Sequence, residues 1–177
     1  GYQSAVAPEV LFIQRGIEWL RPGGRMGIVL PDGILGNPAT EHIRRWIMRH
    51  CYVLASIDLP VETFIVEANV NILTSLVFLK KKSREVIQAE DLGRRVEYPV
   101  FMAVAERVGF DRRGAPLYKR TPDGEEILVD TVESERIRLG GKIVVRTLHR
   151  KTKLIDDDLP LIAEAYRQFR KVNPEPG

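Results

Sequence analysis

Apolar and polar positions alternate with two different periods along the first 80 or so residues, and the switches between them mark out elements. Val10, Ile13, Ile17 and Leu20 recur at helical spacing, and Pro8 sits where a first helical turn accepts its fixed φ and missing donor. Arg21-Pro22-Gly23-Gly24 stops that helix. Met26 to Leu30 is a nearly continuous apolar run, the pattern of a parallel strand covered on both faces. Asn37-Pro38 predicts a second helix start, with Asn37 as cap and Pro38 at the first position. Ile43, Trp46 and Ile47 form its inner face; Arg44, Arg45, Arg49 and His50 populate the outer side and last turn, where positive charge suits the helix dipole. Tyr52 to Leu59 reads as the next strand, closed by Pro60. A loop of about ten residues follows, carrying Glu62, Thr63, Phe64, Asn69 and Asn71. Ile72 to Leu79 is a third strand, running into Lys80-Lys81-Lys82.

This order predicts part of an alternating α/β sheet. The last two strands lack a predicted helix between them, which predicts an antiparallel pair at the sheet edge. Composition shifts after Lys82 toward more charge and less periodicity, so the chain divides into residues 1–82 and a charged extension, 83–177. In the extension, Val100 to Val108 predicts a short helix and Leu117 to Val129 a hairpin around Pro122-Asp123-Gly124. Asp156-Asp157-Asp158 opens a helix through Arg170, with acids at its start and Arg167, Arg170 and Lys171 at its end.

An apolar content of 44% suits a chain of 177 residues that buries a core. The formal net charge of +3 is a mild sign of a polyanionic partner. One cysteine, Cys51, excludes a disulfide framework and a thiolate metal cluster, and His42, His50 and His149 lack ligand spacing. A reducing, cytoplasmic location is expected, with no membrane span.

Several segments resemble a known family in their order. They are Leu20-Arg21-Pro22-Gly23-Gly24-Arg25, Val29-Leu30-Pro31-Asp32-Gly33, Leu59-Pro60, Thr63-Phe64, and Thr74-Ser75-Leu76-Val77-Phe78-Leu79-Lys80. Together they resemble the modification (methylase) subunit of type I restriction systems and related adenine-specific DNA methyltransferases. The resemblance covers residues 7–82 and extends more loosely to Tyr98–Gly114, through Gly109-Phe110-Asp111-Arg112-Arg113-Gly114. It implies the C-terminal half of a Rossmann-like methyltransferase sheet with an antiparallel edge pair, followed by a mixed α+β extension. It also implies S-adenosylmethionine as methyl donor and an adenine taken out of the base stack as acceptor. The family's catalytic N-P-P-F/Y loop and glycine-rich F-x-G-x-G cofactor loop have no counterpart among these residues. Both are expected upstream, so the isolated chain is expected to be inactive and to bind no cofactor. Asn37-Pro38-Ala39-Thr40 shares only the first two letters of the catalytic loop and reads as a helix cap.

Four residues are candidates for touching the target base or the DNA: Phe64, Thr63, Asp32 and Asn71. Phe64 either stacks against an extruded base or packs its loop onto the sheet. Asp32 sits beyond a strand's carboxyl end, where open α/β sheets build ligand sites. It either accepts a hydrogen bond from the base or catalytic loop, or belongs to a simple turn. Thr63 and Asn71 position the loop or touch the DNA backbone. Arg136, Arg138, Lys142, Arg146, Arg150, Lys151 and Lys153 form a stretch without an acid; it either tracks phosphates or is a solvated face balanced by Glu133, Glu135 and Asp156–Asp158. Gly23-Gly24 follow a helix and lead into a strand, the reverse of a phosphate-cradling loop. Cys51 and His149 read as structural. Expected partners are DNA, the specificity and restriction subunits of a restriction-modification complex, and a second copy through an exposed sheet edge. The competing reading is a non-catalytic dimerisation or subunit-docking module derived from a methyltransferase. A methyltransferase for RNA or a protein amine is a third.

Overall fold

The computed structural model describes residues 7–177. Helix α1 (Pro8–Trp19) leads into strand β1 (Arg25–Pro31), then α2 (Asp32–Gly36), a 3-10 turn (Pro38–Thr40), α3 (Glu41–His50) and β2 (Cys51–Leu59). Next come α4 (Glu62–Ala68), β3 (Thr74–Lys81), α5 (Arg84–Asp91) and β4 (Phe101–Val104). The chain ends with β5 (Leu128–Leu139), β6 (Lys142–Lys153) and α6 (Leu159–Val172). The main sheet has the order β1-β3-β2-β4. Strand β3 is antiparallel to both neighbours and β4 is parallel to β2. Strands β1, β2 and β4 therefore run the same way, and their carboxyl ends share one side of the sheet.

Two apolar clusters cover opposite faces. On one face Ile13 and Ile17 of α1, Ile34 of α2, and Ile43 and Ile47 of α3 pack on Leu30, Cys51, Val77 and Leu79. Ile13, Ile17, Ile43 and Ile47 are positions the helical spacing marks, whereas Ile34 lies on a short helix where the sequence reads as a turn. On the other face Ala55, Ile57, Leu59 and Ala105 pack with Phe64, Phe101, Ala103, Ile162 and Tyr166. A register shift between Val53 and Ala55 lets β2 serve both. The extra residue flips the alternation, so Cys51 and Val53 face the first cluster while Ala55, Ile57 and Leu59 face the second.

The antiparallel pairing of the second and third predicted strands holds, in a different place. β3 lies inside the sheet, between β1 and β2, and the edges are β1 and β4. Its run Leu76-Val77-Phe78-Leu79 has partners on both sides, which suits an interior strand. The predicted loop before it contains α4, which ends where Asn69 takes φ 50°, a left-handed conformation that asparagine tolerates. Residues Val100–Val108, expected to be helical, hold β4 instead. Phe101 and Ala103 point into the second cluster while Met102 and Val104 face outward, the period of a strand. Among the described residues strand β1 is covered on one face only. Met26, Ile28 and Leu30 are turned inward, while Gly27 and Val29 are exposed.

Lys80, Lys81 and Lys82 look alike in sequence and do three separate jobs. Lys80 Nζ donates to the carbonyls of Pro176 and Gly177, tying down the C-terminal segment. Lys81 Nζ donates to the carbonyls of Ile17 and Glu18 at the end of α1, where backbone acceptors lack helical partners. Lys82 is buried; its Nζ donates to the Met48 carbonyl at 2.7 Å and to both oxygens of Glu90 at 2.8 and 2.9 Å, docking α5.

The extension holds a second, two-stranded sheet. β5 and β6 pair over their whole length, from Leu128↔Lys153 to Leu139↔Lys142. Gly140 and Gly141, both with positive φ, make the two-residue turn. The predicted 117–129 hairpin survives as a small turn at its base, where Arg120 bridges Glu126 and the Gly124 amide donates to the Thr121 carbonyl.

Candidate active-site cleft

Asp32, Asp58, Leu59, Pro60, Leu73, Thr74, Val104 and Ala105 line a cleft of about 290 Å3 at the carboxyl ends of β1, β2 and β4. Its geometry follows from the sheet order. Because β3 runs against its neighbours, its first residue, Thr74, meets the last residues of β1 and β2 across the ladder. Pro31 pairs with Thr74, and the Asp32 amide donates to the Leu73 carbonyl at 3.1 Å, which closes the rim beside β1. The α2–α3 connection behind Asp32 is braced by Arg44, whose Nη1 donates to the Ile34 and Asn37 carbonyls and to Thr40 Oγ1. Asn37 caps the 3-10 turn, its Oδ1 accepting from the Ala39 amide at 2.9 Å, as the sequence reading expects of it.

Asp58 is the residue that reasoning from sequence missed. It sits one position before Leu59-Pro60, a strand-end acid like Asp32 after Leu30-Pro31, and that parallel was the available signal. Ser75 Oγ donates to its Oδ1 at 2.7 Å, which fixes the carboxylate while leaving its other oxygen for a ligand. Two acidic residues, Asp32 and Asp58, thus line the cleft together with Leu59, Pro60, Leu73 and Ala105. Such a site orients amine or hydroxyl donors.

The other candidates spread out. Phe64, on α4, is half-buried and packs against the Ala55–Leu59 cluster. Thr63 is half-buried, and its Oγ1 has no hydrogen-bond partner among the described residues. Asn71 is exposed in the segment between α4 and β3, outside the residues lining the cleft. A neighbouring cleft of about 330 Å3 is lined by Glu62, Arg107, Phe110, Asp111 and Arg112, among others. There Arg112 Nε donates to Glu62 at 2.9 Å and holds its carboxyl below the usual range. Asp111 accepts from the Arg113 and Ala115 amides and is likewise held low, so the 109–114 motif is a self-bonded turn. The seven basic candidates Arg136, Arg138, Lys142, Arg146, Arg150, Lys151 and Lys153 all lie on the β5–β6 ribbon, but on both of its faces.

Among the described residues no group of His, Cys, Asp and Glu is arranged to hold a metal ion, and no helix is long and apolar enough to cross a membrane. The main cleft offers carboxylates and a threonine but no glycine loop of backbone amides. Its residues by themselves do not fit S-adenosylmethionine.

A family model described as N-6 DNA methylase matches residues 2–100, more than half of the chain. Two curated methylase subunits of type I restriction enzymes, EcoKI of Escherichia coli K12 and StySJI of Salmonella typhimurium LT2, are each 35% identical over 75 residues. That match covers 41% of this chain and only 13% of the length of each relative. Among solved structures, a putative class I S-adenosylmethionine-dependent methyltransferase from Listeria monocytogenes aligns with 59% of this chain and 28% of its own, at 21% identity and TM-score 0.45. A structure of a type I R-M system aligns with 46% of this chain and 17% of its own, at 27% identity and TM-score 0.39.

Proposed function

The chain belongs to the N-6 DNA methylase family, and from that premise we propose that it forms part of an S-adenosylmethionine-dependent adenine DNA methyltransferase of the type I modification kind. The observation that carries this reading is that the matched segment, residues 2–100, takes in β1, β2 and β3 and with them six of the eight residues lining the cleft, Asp32, Asp58, Leu59, Pro60, Leu73 and Thr74. In such an enzyme the extruded adenine presents its exocyclic amine, a hydrogen-bond donor. Asp58, oriented by Ser75, and Asp32, which lines the same cleft, are acceptors suited to that amine or to the loop that grips it. Phe64 contributes by packing α4 on the sheet, and Asn71, one of several exposed residues of the connection to β3, is the polar group assigned to the DNA backbone.

The open edge of β1 supports a further part of the reading. Among the described residues β1 pairs on one side only, Val29 is exposed, and on α1 Phe12 and Trp19 are 72% and 80% exposed. An unpaired apolar strand edge calls for a cover. The remainder of a methyltransferase sheet, carrying the cofactor and catalytic loops, is the cover we assign to it. DNA and the specificity and restriction subunits of such systems are the partners this implies.

The test is methyl transfer from labelled S-adenosylmethionine to duplex DNA. The 177-residue chain alone should transfer nothing, and adding the cognate upstream polypeptide should restore transfer to adenine N6. Transfer by the chain alone overturns its assignment as a part; a stable complex of the two pieces that stays inactive overturns the methyltransferase assignment. The same open edge favours one alternative, a non-catalytic module whose β1 edges pair between two copies. A dimer by sedimentation that excludes the upstream piece would establish it.

A further inference from the structure

The β5–β6 ribbon is twelve residues long in each strand, spans about 40 Å at ~3.4 Å per residue, and leaves most side chains on both faces in solvent. A two-stranded ribbon exposing apolar residues on both faces is marginal alone, which points to a partner. Charge identifies its class. Residues 128–153 hold seven Lys and Arg against three Asp and Glu, a net +4, so the rest of a chain of net charge +3 is slightly acidic. The positive surplus therefore resides in the ribbon.

The strand register divides that charge between faces. One face carries Glu133 and Glu135, the latter directly opposite Arg146. The other carries Arg136 opposite Val145, Arg138 opposite Ile143, Ser134 opposite Thr147 and Val132 opposite His149. Over that distal stretch the second face has no acid. Ile143 and Val145 on it are 68% and 59% exposed, and neither arginine forms an ion pair among the described residues. The seven-residue basic run of the sequence is thus not one stripe. The face of Arg136 and Arg138, whose one acid, Asp130, stands opposite Lys151 at the ribbon's base, is suited to a polyanion along its distal stretch, and the other sets Glu133 and Glu135 among Lys142, Arg146 and Arg150.

We propose that the β5–β6 ribbon is a DNA-binding arm that lies in the major groove of duplex DNA with the Arg136–Arg138 face inward. The groove admits a two-stranded ribbon, arginines at its walls reach phosphates or guanine edges, and exposed Ile143 and Val145 suit thymine methyl groups. The choice of DNA as the polyanion rests on the methyltransferase reading, while the face that binds rests on the register alone.

The experiment is fluorescence anisotropy of the 177-residue chain with a labelled 25-base-pair duplex, titrated between 50 and 300 mM salt. Each phosphate contact contributes about 0.9 to the slope of log affinity against log salt. Arg136→Ala/Arg138→Ala should flatten the slope by about 2 and weaken binding about tenfold or more at 100 mM. Lys142→Ala/Arg146→Ala, on the acid-bearing face, should change the slope far less. Circular dichroism checks that the ribbon persists in each variant. Equal losses from the two pairs, equal affinity for single strands, or a ribbon-dependent dimer without duplex binding overturns the proposal. Methyl transfer on addition of the upstream piece reads the enzyme assignment separately, so either can fail while the other stands.

Discussion

Replacing Lys82 by methionine removes the connection between α5 and the sheet while keeping most of the side-chain volume. In the native chain the Lys82 side chain is 5% exposed and Glu90 is 17% exposed. The ammonium serves Glu90 and the Met48 carbonyl at once, and sits 4.9 Å from the centre of the Tyr52 ring. Removing one partner of a buried pair costs about 3–5 kcal/mol, mostly because the other charge is left uncompensated. Glu90 retains some contact with water, so the lower end applies, about 3 kcal/mol. With an m-value of about 2 kcal/mol per molar, the urea midpoint should fall by about 1.5 M. Amide exchange should rise first in Arg84–Asp91. The double variant Lys82→Met/Glu90→Leu abolishes both charges and should recover most of the loss. A single variant within 1 kcal/mol of the parent, or a double variant worse than the single, would refute the assignment of Lys82 as a charge-paired anchor.

Leu79→Ala empties a fully buried position between α1, α3 and the sheet; urea unfolding should show a loss of about 3 kcal/mol. At Gly109 φ is 90° and an added Cβ would meet Ile155 Cγ2 at 2.8 Å, so Gly109→Ala should lower stability by about 1–3 kcal/mol, measured the same way. Burial pushes the Cys51 thiol up to about 11 from an ordinary 9.0, with Lys81 and Lys82 pulling weakly against it. A value raised on folding supports the fold below pH 9 and withdraws that support as pH climbs toward 11. Cys51→Ala should therefore lose about 2 kcal/mol less than the parent across that window. Native protein at pH 8 should resist iodoacetamide until denaturant is added, and rapid labelling of the folded chain would contradict this placement.

Local pattern alone located α1, α3, β2, β3 and α6: helical spacing marked α1 and α3, apolar runs ending at Pro60 and at Lys80–Lys82 marked β2 and β3, and acids at the start with bases at the end marked α6. The order of its short segments also sufficed to identify the family. Other elements were legible and overlooked: Gly140-Gly141 between alternating runs is a hairpin signal, and Ser83 before Arg84 is a helix cap. What only the tertiary structure decided is who neighbours whom. No local period states that β3 inserts between β1 and β2, that the extra residue near Leu54 turns β2 toward a second core, or that Phe101 begins a strand. Those choices depend on contacts between segments distant in sequence, where burial and ladder hydrogen bonds outweigh local propensity. For the same reason the placing of Asp32 and Asp58 at one cleft, the division of labour among Lys80, Lys81 and Lys82, and the separation of the ribbon's charges onto two faces emerge only once register and packing are set.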